Sequence, residues 1–97
     1  MAKDLPYFKF FSSEWNDGDI TLEDYNVQGV FINLCSWYWS KGCNIEFKNV
    51  YKRFKTVKKE IDILLSSDLI YNCDGYLCIQ FLDEQLEDRK RLSLIHI

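Results

Sequence analysis

Apolar residues are spaced along the chain in a way that predicts a long central helix. They recur at the 3.6-residue helical period between about Leu22 and Lys41, and Gly42 then supplies a C-terminal stop. The stripe consists of Val27, Val30, Phe31, Leu34, Cys35 and Tyr38. Thr21 is the expected N-cap, because the acidic residues that follow it suit the first turn of a helix.

The same period predicts two small helices between residues 47 and 65, separated by a break at Lys55-Thr56. Their apolar positions are Phe47, Val50, Tyr51 and Phe54 in the first, and Val57, Ile61, Leu64 and Leu65 in the second. Two short helices joined by a tight turn suggest a helix-turn-helix. Just before them, Asn44–Phe47 alternates polar and apolar residues, which predicts a small strand.

A β-hairpin is predicted from the two β-rich runs Leu69–Cys73 and Tyr76–Leu82, because Asp74-Gly75 between them suits a two-residue turn. Such a turn pairs Cys73 with Tyr76 and Tyr71 with Cys78. The residues expected on the core side are Ile70, Leu77, Ile79 and Phe81. Cys73 and Cys78 are then diagonal neighbours, so we expect no disulfide between them.

The two ends of the chain carry weaker patterns. Residues 6–12, PYFKFFS, predict a short extended segment anchored by Trp15 and followed by a turn at Asn16–Asp19. Asp83–Leu92 predicts a charged helix with acids first and Arg89, Lys90 and Arg91 last, as the helix dipole prefers. Residues 93–97 turn apolar without a cap. We therefore expect a domain over residues 1–92 and a tail at 93–97, the truncation point of a longer chain.

Composition indicates one folded domain. The 97 residues are 47% hydrophobic and 16% aromatic, which is enough to form a buried core without disulfides or a structural metal ion. No apolar run approaches the roughly 18 residues of a membrane span, and the N-terminus lacks the apolar core of a signal peptide. We therefore expect a cytoplasmic protein, with no membrane partner and with reduced cysteines.

Candidate chemistry for catalysis or metal binding is sparse. The four cysteines form no C-x-x-C pair, and the only histidine is the penultimate residue, His96. Asp17 and Asp19 suit a turn better than a metal loop, which needs further oxygen ligands. General acid–base or nucleophilic catalysis needs a positioned histidine, paired carboxylates or an activated cysteine. We expect no enzyme activity, no metal and no cofactor.

Charge, in contrast, is strongly segregated. The twelve residues from Lys48 to Lys59 include six basic residues and no acid, namely Lys48, Lys52, Arg53, Lys55, Lys58 and Lys59. The rest of the chain has six basic and 15 acidic residues, so it sums to −9 although the whole chain is −3. A basic segment in an acidic protein is typical of a nucleic-acid-binding face. The alternative is that these lysines form the solvated side of two amphipathic helices.

The order of elements predicts the fold class α+β, mainly α. It is that of a winged helix-turn-helix with three core helices, a short β-hairpin wing and a C-terminal charged helix. The recognition helix would run from about Val57 to Leu65. Its outer side would present Lys58, Lys59, Asp62 and Ser66.

Four stretches, PYFKFFSSEW, GDIT, QGVFINLCSWYW and CIQFLDEQLEDR, resemble the N-terminal domain of phage and prophage replication proteins. The group is the winged-helix replisome organisers or DnaD-like initiators, notably those of Bacteroidetes, and the similarity covers roughly Leu5–Arg91. The resemblance implies binding to an origin of replication, or assembly with replisome proteins, in the cytoplasm of a bacterial host. The basic linker that usually follows this domain in the group is absent here.

Two functions are therefore open. In the first, the six basic residues contact the phosphates of double-stranded DNA, with little base reading because only Arg53 and Asn49 suit bidentate contacts. The predicted wing carries no lysine or arginine, which weakens a role for it in the minor groove. In the second, the same fold serves self-association or partner loading. The candidate contact residues for that function are Tyr71, Tyr76, Trp37 and Trp39. The consecutive aromatics Trp37, Tyr38 and Trp39 also leave a base-stacking platform open as an alternative to core packing.

Overall fold

The computed structural model describes residues 7–95, with side chains through residue 90; Pro6, His96 and Ile97 lie outside it. The described chain is mainly helical and contains one two-stranded antiparallel sheet. The helices are α1 (Ser12–Asp17), α2 (Tyr25–Ser40), α3 (Phe47–Arg53), α4 (Lys58–Ser66) and α5 (Gln80–Ile95). The strands are β1 (Tyr71–Cys73) and β2 (Tyr76–Cys78). This arrangement confirms the α+β, mainly α class.

Helix α2 is the centre of the core, as its apolar stripe predicts. Its buried side chains are Val27, Phe31, Leu34, Cys35, Tyr38 and Trp39, while Val30 is half-buried against them. The expected start was wrong, because Asp24 rather than Thr21 occupies the N-cap position. Thr21 lies in a 3-10 turn, Asp19–Leu22, where its hydroxyl donates to the carbonyl oxygen of Gly18 at 2.9 Å. The hydroxyl thus closes a local turn instead of capping the helix.

The N-terminal segment is extended through Phe11 and then forms α1, where the sequence predicted the end of an extended segment anchored by Trp15 and a turn at Asn16–Asp19. Trp15 lies within this short helix, with its ring 6.0 Å from that of Phe31. The extended part is held against α5 by one side-chain amide. Gln85 accepts from the backbone N–H of Lys9 at 2.8 Å and donates to the carbonyl of Lys9 at 2.9 Å. The amide thereby takes the place of a neighbouring strand.

Helices α3 and α4 form the predicted pair, joined by a 3-10 turn at Lys55–Val57. The helical spacing is confirmed, since Phe47 and Val50 of α3 and Ile61 and Leu64 of α4 are all buried. Helix α4 packs against α2. One side of each helix is therefore buried in the core, and the other side can carry charged residues in solvent.

The hairpin has the predicted register, with Tyr71 opposite Cys78 and Cys73 opposite Tyr76. Asp74 and Gly75 both have positive φ angles, 54° and 87°, as a type I′ turn requires. The strands are three residues each, shorter than expected.

The small strand expected at residues 44–47 is reduced to a single bridge between Glu46 and Tyr76. It is nevertheless attached to the hairpin. The N–H of Phe47 donates to the carbonyl of Gly75 at 2.8 Å, and the N–H of Leu77 donates to that of Ile45 at 2.9 Å. The first N–H of α3, which has no partner within its own helix, is thereby satisfied by the turn of the hairpin.

Helix α5 begins three residues before the predicted Asp83 and continues to Ile95, through part of the expected tail. Its basic residues at 89–91 consequently lie inside the helix and not in its last turn. Ile79, just before α5, and Leu82 within it are buried against the core. Within the described residues, no helix has both the length and the apolar character needed to cross a bilayer.

Candidate nucleic-acid interface

All six basic residues of the segment 48–59 are exposed, and they are distributed over three consecutive elements. Lys48 and Lys52 are four residues apart in α3 and so project from the same side of it. Lys55 lies in the 3-10 turn, and Lys58 and Lys59 begin α4. The charge therefore lies on the solvent side of α3, the 3-10 turn and α4.

Two of the six cations are paired with acids. The Nζ atom of Lys48 lies 3.8 Å from Glu46 Oε1. That of Lys58 lies 3.1 Å from Asp62 Oδ2, one helical turn further along α4. These two lysines are thus less available to an incoming anion than their exposure alone suggests.

Tyr51 of α3 completes the arrangement around Lys58. Its hydroxyl donates to Asp62 Oδ1 at 2.9 Å, and the Lys58 ammonium lies 5.1 Å from the centre of its ring. The hydrogen bond from Tyr51, followed by that from Lys58, lowers the pKa of Asp62. Asp62 therefore stays ionised on the outer side of α4, held by residues from both helices.

Arg53 is oriented differently, by an aromatic ring. Its guanidinium lies 4.8 Å from the centre of the Trp37 ring, which in turn contacts Phe54 at 5.9 Å between ring centres. No hydrogen bond joins the guanidinium to another described residue, so its planar N–H groups remain available as donors. The stack holds this cation between α2 and the turn after α3.

Within the segment 48–59, Lys52, Lys55 and Lys59 are the lysines that form no ion pair with a described acid. Each is exposed, and none is hydrogen-bonded within the part of the chain that the structure describes. They lie in α3, in the turn and at the start of α4, so each of the three elements contributes one. Three unpaired positive charges on consecutive elements favour the approach of an anion.

The outer side of α4 is arranged as predicted. Lys58, Lys59, Asp62 and Ser66 are all exposed, while Ile61 and Leu64 face the core on the opposite side. The sequence already predicted an acid, Asp62, on this surface. Its four-residue spacing from Lys58 is that of a helical ion pair. The contribution of Tyr51 had no sequence signal, because it depends on how α3 packs beside α4.

The expected partner-contact residues differ in their exposure. Tyr71 and Tyr76 are 38% and 45% exposed on the outer side of the hairpin, and Trp37 is half-buried beneath Arg53. The expectation for Trp39 was wrong, since its side chain is only 3% exposed. Phe8 of the N-terminal segment covers it, with ring centres 6.1 Å apart, so Trp39 belongs to the core.

Exposed aromatic side chains also occur at positions that were not predicted to be partner contacts. Tyr7, Phe10 and Phe11 are 61%, 51% and 47% exposed along the N-terminal segment, and Tyr25 is 88% exposed at the start of α2. The helical stripe of α2 could have identified Tyr25, because its position falls on the side away from Val27 and Phe31. The N-terminal segment is extended and held by Gln85, so it has no helical period from which the exposure of its aromatic side chains could be predicted.

Burial makes two of the cysteines less reactive. All four are free, and burial raises the pKa of Cys43 and of Cys78 to about 12, which keeps both as neutral thiols at neutral pH. Among the described residues, no three His, Cys, Asp or Glu side chains come together as a metal ion would need.

Models of protein families, curated proteins and solved structures were all compared with this chain, and none of them matches it. The case for a function therefore rests on the residues and contacts of the chain itself. Its clearest chemical feature is the set of exposed lysines on α3, the turn and α4 that have no described acid partner.

Proposed function

We propose that the chain is a winged-helix domain that binds double-stranded DNA through α3, the 3-10 turn and α4. The observation that carries this proposal is that Lys52, Lys55 and Lys59 are exposed and have no acid partner among the described residues. They stand out in a chain whose remaining residues are acidic overall. A polyanion is the ligand for which such a row of ammonium groups is suited.

The order of elements supports the winged-helix part of the proposal. Helix α2 packs against α4, and a β-hairpin follows α4 directly. The turn of that hairpin contacts the start of α3 through the bond from Phe47 to Gly75. In a winged helix, α4 would be the recognition helix and this hairpin the wing.

Binding would be mainly electrostatic. Each ammonium group that neutralises a phosphate releases a condensed counterion, so affinity falls as the salt concentration rises. Arg53 is the one guanidinium in the segment, and it lies over the Trp37 ring of α2 and is not part of α4. The hairpin from Tyr71 to Cys78 contains no lysine or arginine. Affinity would therefore come from α3 and α4, and the wing would add contacts that are not ionic.

The resemblance to replication proteins of phages supports a more specific role. We propose that the DNA is bound during the initiation of replication in a bacterial host. In that setting, sequence-independent phosphate binding would place the domain on DNA, while origin choice would depend on further contacts. A domain of this kind needs no catalytic centre.

The proposal is tested by removing the charges of the three unpaired lysines together. We expect the triple variant Lys52→Ala/Lys55→Ala/Lys59→Ala to bind duplex DNA weakly and with a smaller salt dependence. The slope of log K against log salt should decrease by roughly 0.9 for each phosphate that is no longer neutralised, about 3 in all. Fluorescence anisotropy of a labelled duplex, titrated at two or more salt concentrations, measures both quantities.

A matched control removes three positive charges elsewhere. Lys9, Arg89 and Lys90 are exposed on the N-terminal segment and α5, so their replacement by alanine changes the net charge by the same amount. This control should retain most of the affinity and the slope. Equal reductions in the two triple variants, or salt-independent binding by the unaltered protein, would contradict the proposal.

A protein-interaction module is the second candidate. The specific observation in its favour is the pair Tyr71 and Tyr76 on the outer side of the hairpin, both of which are more than a third exposed. Exposed aromatic side chains are enriched at protein interfaces. Such a module would self-associate or hold a replisome partner through the hairpin, without contacting DNA.

A further inference from the structure

An open groove of about 600 Å³ lies beside the basic surface, between the solvent side of α2 and the turn after α3. One wall is formed by Tyr25, Asn26, Gly29 and Asn33, which follow one another along α2. Arg53 forms part of the other wall. Its volume is within the range of small-ligand sites, roughly 300–1,000 Å³.

Gly29 occupies a position in a helix where a glycine is unfavourable and has no evident packing reason. It lies inside α2, where glycine lowers helix stability relative to alanine. A Cβ atom at this position would meet no heavy atom within 4 Å, so nothing in the described chain requires its absence. Glycine in such a place allows the backbone to be approached closely by something outside the chain. The groove above Gly29 is where that approach is possible.

The groups around Gly29 are complementary to a nucleotide. Tyr25 is 88% exposed and presents an aromatic face on which a base can stack. Asn26 and Asn33 are exposed amides of the kind that bond to base edges, and Asn33 is oriented by donating to the carbonyl of Gly29 at 2.8 Å. That bond leaves its Oδ1 atom free to accept.

The phosphate group would be met by Arg53. Its guanidinium is already positioned by the stack on Trp37 at 4.8 Å, so little ordering is needed when an anion binds. Lys55 follows in the adjacent turn and continues the positive surface. The groove also has apolar lining residues, Val30, Phe54 and Val57. A protein partner fits less well, since such a partner is usually anchored in a well-packed pocket from which water is excluded, and this groove is open to solvent.

We infer that this groove binds an unpaired nucleotide of a DNA strand, with its base at Tyr25 and its phosphate at Arg53. The inference rests on the proposed DNA-binding function and adds to it a site for single-stranded or locally opened DNA. Duplex DNA would be held by Lys52, Lys55 and Lys59, and the groove would take a base that has left the stack.

The test fills the groove without disturbing the fold. Gly29→Leu places a side chain in space that is empty, and Ser36→Leu adds the same side chain to an exposed position of α2 that does not line the groove. Anisotropy is measured with a labelled single strand of about 12 nucleotides and with the duplex that it forms with its complement. Thermal unfolding of each variant verifies that the domain is intact.

We expect Gly29→Leu to weaken single-strand binding by about tenfold or more and to leave duplex binding unchanged. Ser36→Leu should change neither. Tyr25→Ala, which removes a side chain that is almost fully exposed, should produce the same selective loss and is independent of any effect of leucine on the helix.

Four results would overturn the inference. If the unaltered protein binds duplex but not single-stranded DNA, the groove is not a nucleotide site, although the proposed function stands. Equal reductions for both forms of DNA, or displacement of the single strand by a polyglutamate peptide at equal charge, would show that only charge is recognised. Binding to neither single-stranded nor duplex DNA would contradict the proposed function as well. This result differs from the others because the unaltered protein would bind no DNA at all.

Discussion

Lys58 and Asp62 illustrate how one carboxylate alters what a lysine-rich helix can bind. The two side chains are 3.1 Å apart, and Tyr51 holds the second oxygen of Asp62 at 2.9 Å. The Lys58 ammonium is therefore partly neutralised before any phosphate arrives. The carboxylate itself would repel phosphate, although a carboxylate can accept a hydrogen bond from the amino group of cytosine.

At the scale of single residues, we predict that Asp62→Asn strengthens duplex binding. The change removes a negative charge and frees Lys58, while an amide oxygen can still accept from Tyr51. If Lys58 then neutralises a further phosphate, the salt slope should become steeper by roughly 0.9. Anisotropy titrations at several salt concentrations measure this change.

Asp68→Asn is a suitable control, because Asp68 is exposed beyond the end of α4 and no lysine of the basic segment pairs with it among the described residues. It changes the net charge by the same amount. Unchanged or weaker binding in Asp62→Asn would mean that Asp62 does not restrain Lys58.

At the scale of elements, one hydrogen bond connects the first and last long helices. Tyr38 of α2 is 1% exposed, and its hydroxyl donates to the Asp83 carboxylate of α5. Burial raises the pKa of Asp83, the bond from Tyr38 lowers it, and Glu84 raises it, with a net increase. Because the folded-state pKa lies above the unfolded one, ionised Asp83 costs stability at neutral pH, and stability increases as the pH falls through the folded pKa.

We predict that Tyr38→Phe destabilises the domain by roughly 1–3 kcal/mol at pH 7, because a half-buried carboxylate loses its donor. The cost should be smaller near pH 4, where Asp83 is increasingly protonated. Urea unfolding at the two pH values measures the difference.

Tyr38→Phe combined with Asp83→Asn shows whether the two residues act together. The double variant should lose less stability than the two single variants added together, because the removed groups share one bond. Strict additivity, or the same cost at both pH values, would mean that the bond does not hold α5 to α2.

At the scale of the whole molecule, charge placement matters more than net charge. The chain is −3 overall, yet its cations are concentrated on α3, the turn and α4, and the hairpin from Tyr71 to Cys78 carries none. DNA binding and self-association would therefore use different side chains. Substituting only the basic residues, or only the tyrosines, can therefore distinguish the two candidate functions.

We predict that Tyr71→Ser/Tyr76→Ser binds duplex DNA as the unaltered protein does, and that both sediment as monomers at micromolar concentrations. The reason is that neither tyrosine carries or positions a cation of the basic surface. Sedimentation velocity over a range of concentrations gives the association state. A concentration-dependent dimer that the double variant abolishes, with no DNA binding in either protein, would favour the interaction module.

Local features of the fold could be predicted from the sequence because their causes are local. The buried stripe of α2 and the register of the hairpin follow from helical spacing and from Asp74-Gly75, both within a few residues of their effects. The basic segment was equally visible. The fold class and the position of the positive charge were thus determined by the sequence alone.

Only the tertiary structure decided which of these groups remain available. Phe8 of the N-terminal segment covers Trp39 of α2, Tyr51 reaches Asp62 across two helices, and α1 forms where its Trp15 packs against Phe31. Contacts of this kind depend on how separate elements pack, which periodicity does not specify. Sequence determined where the positive charge lies, and packing decided which cations stay unneutralised and which aromatic rings enter the core.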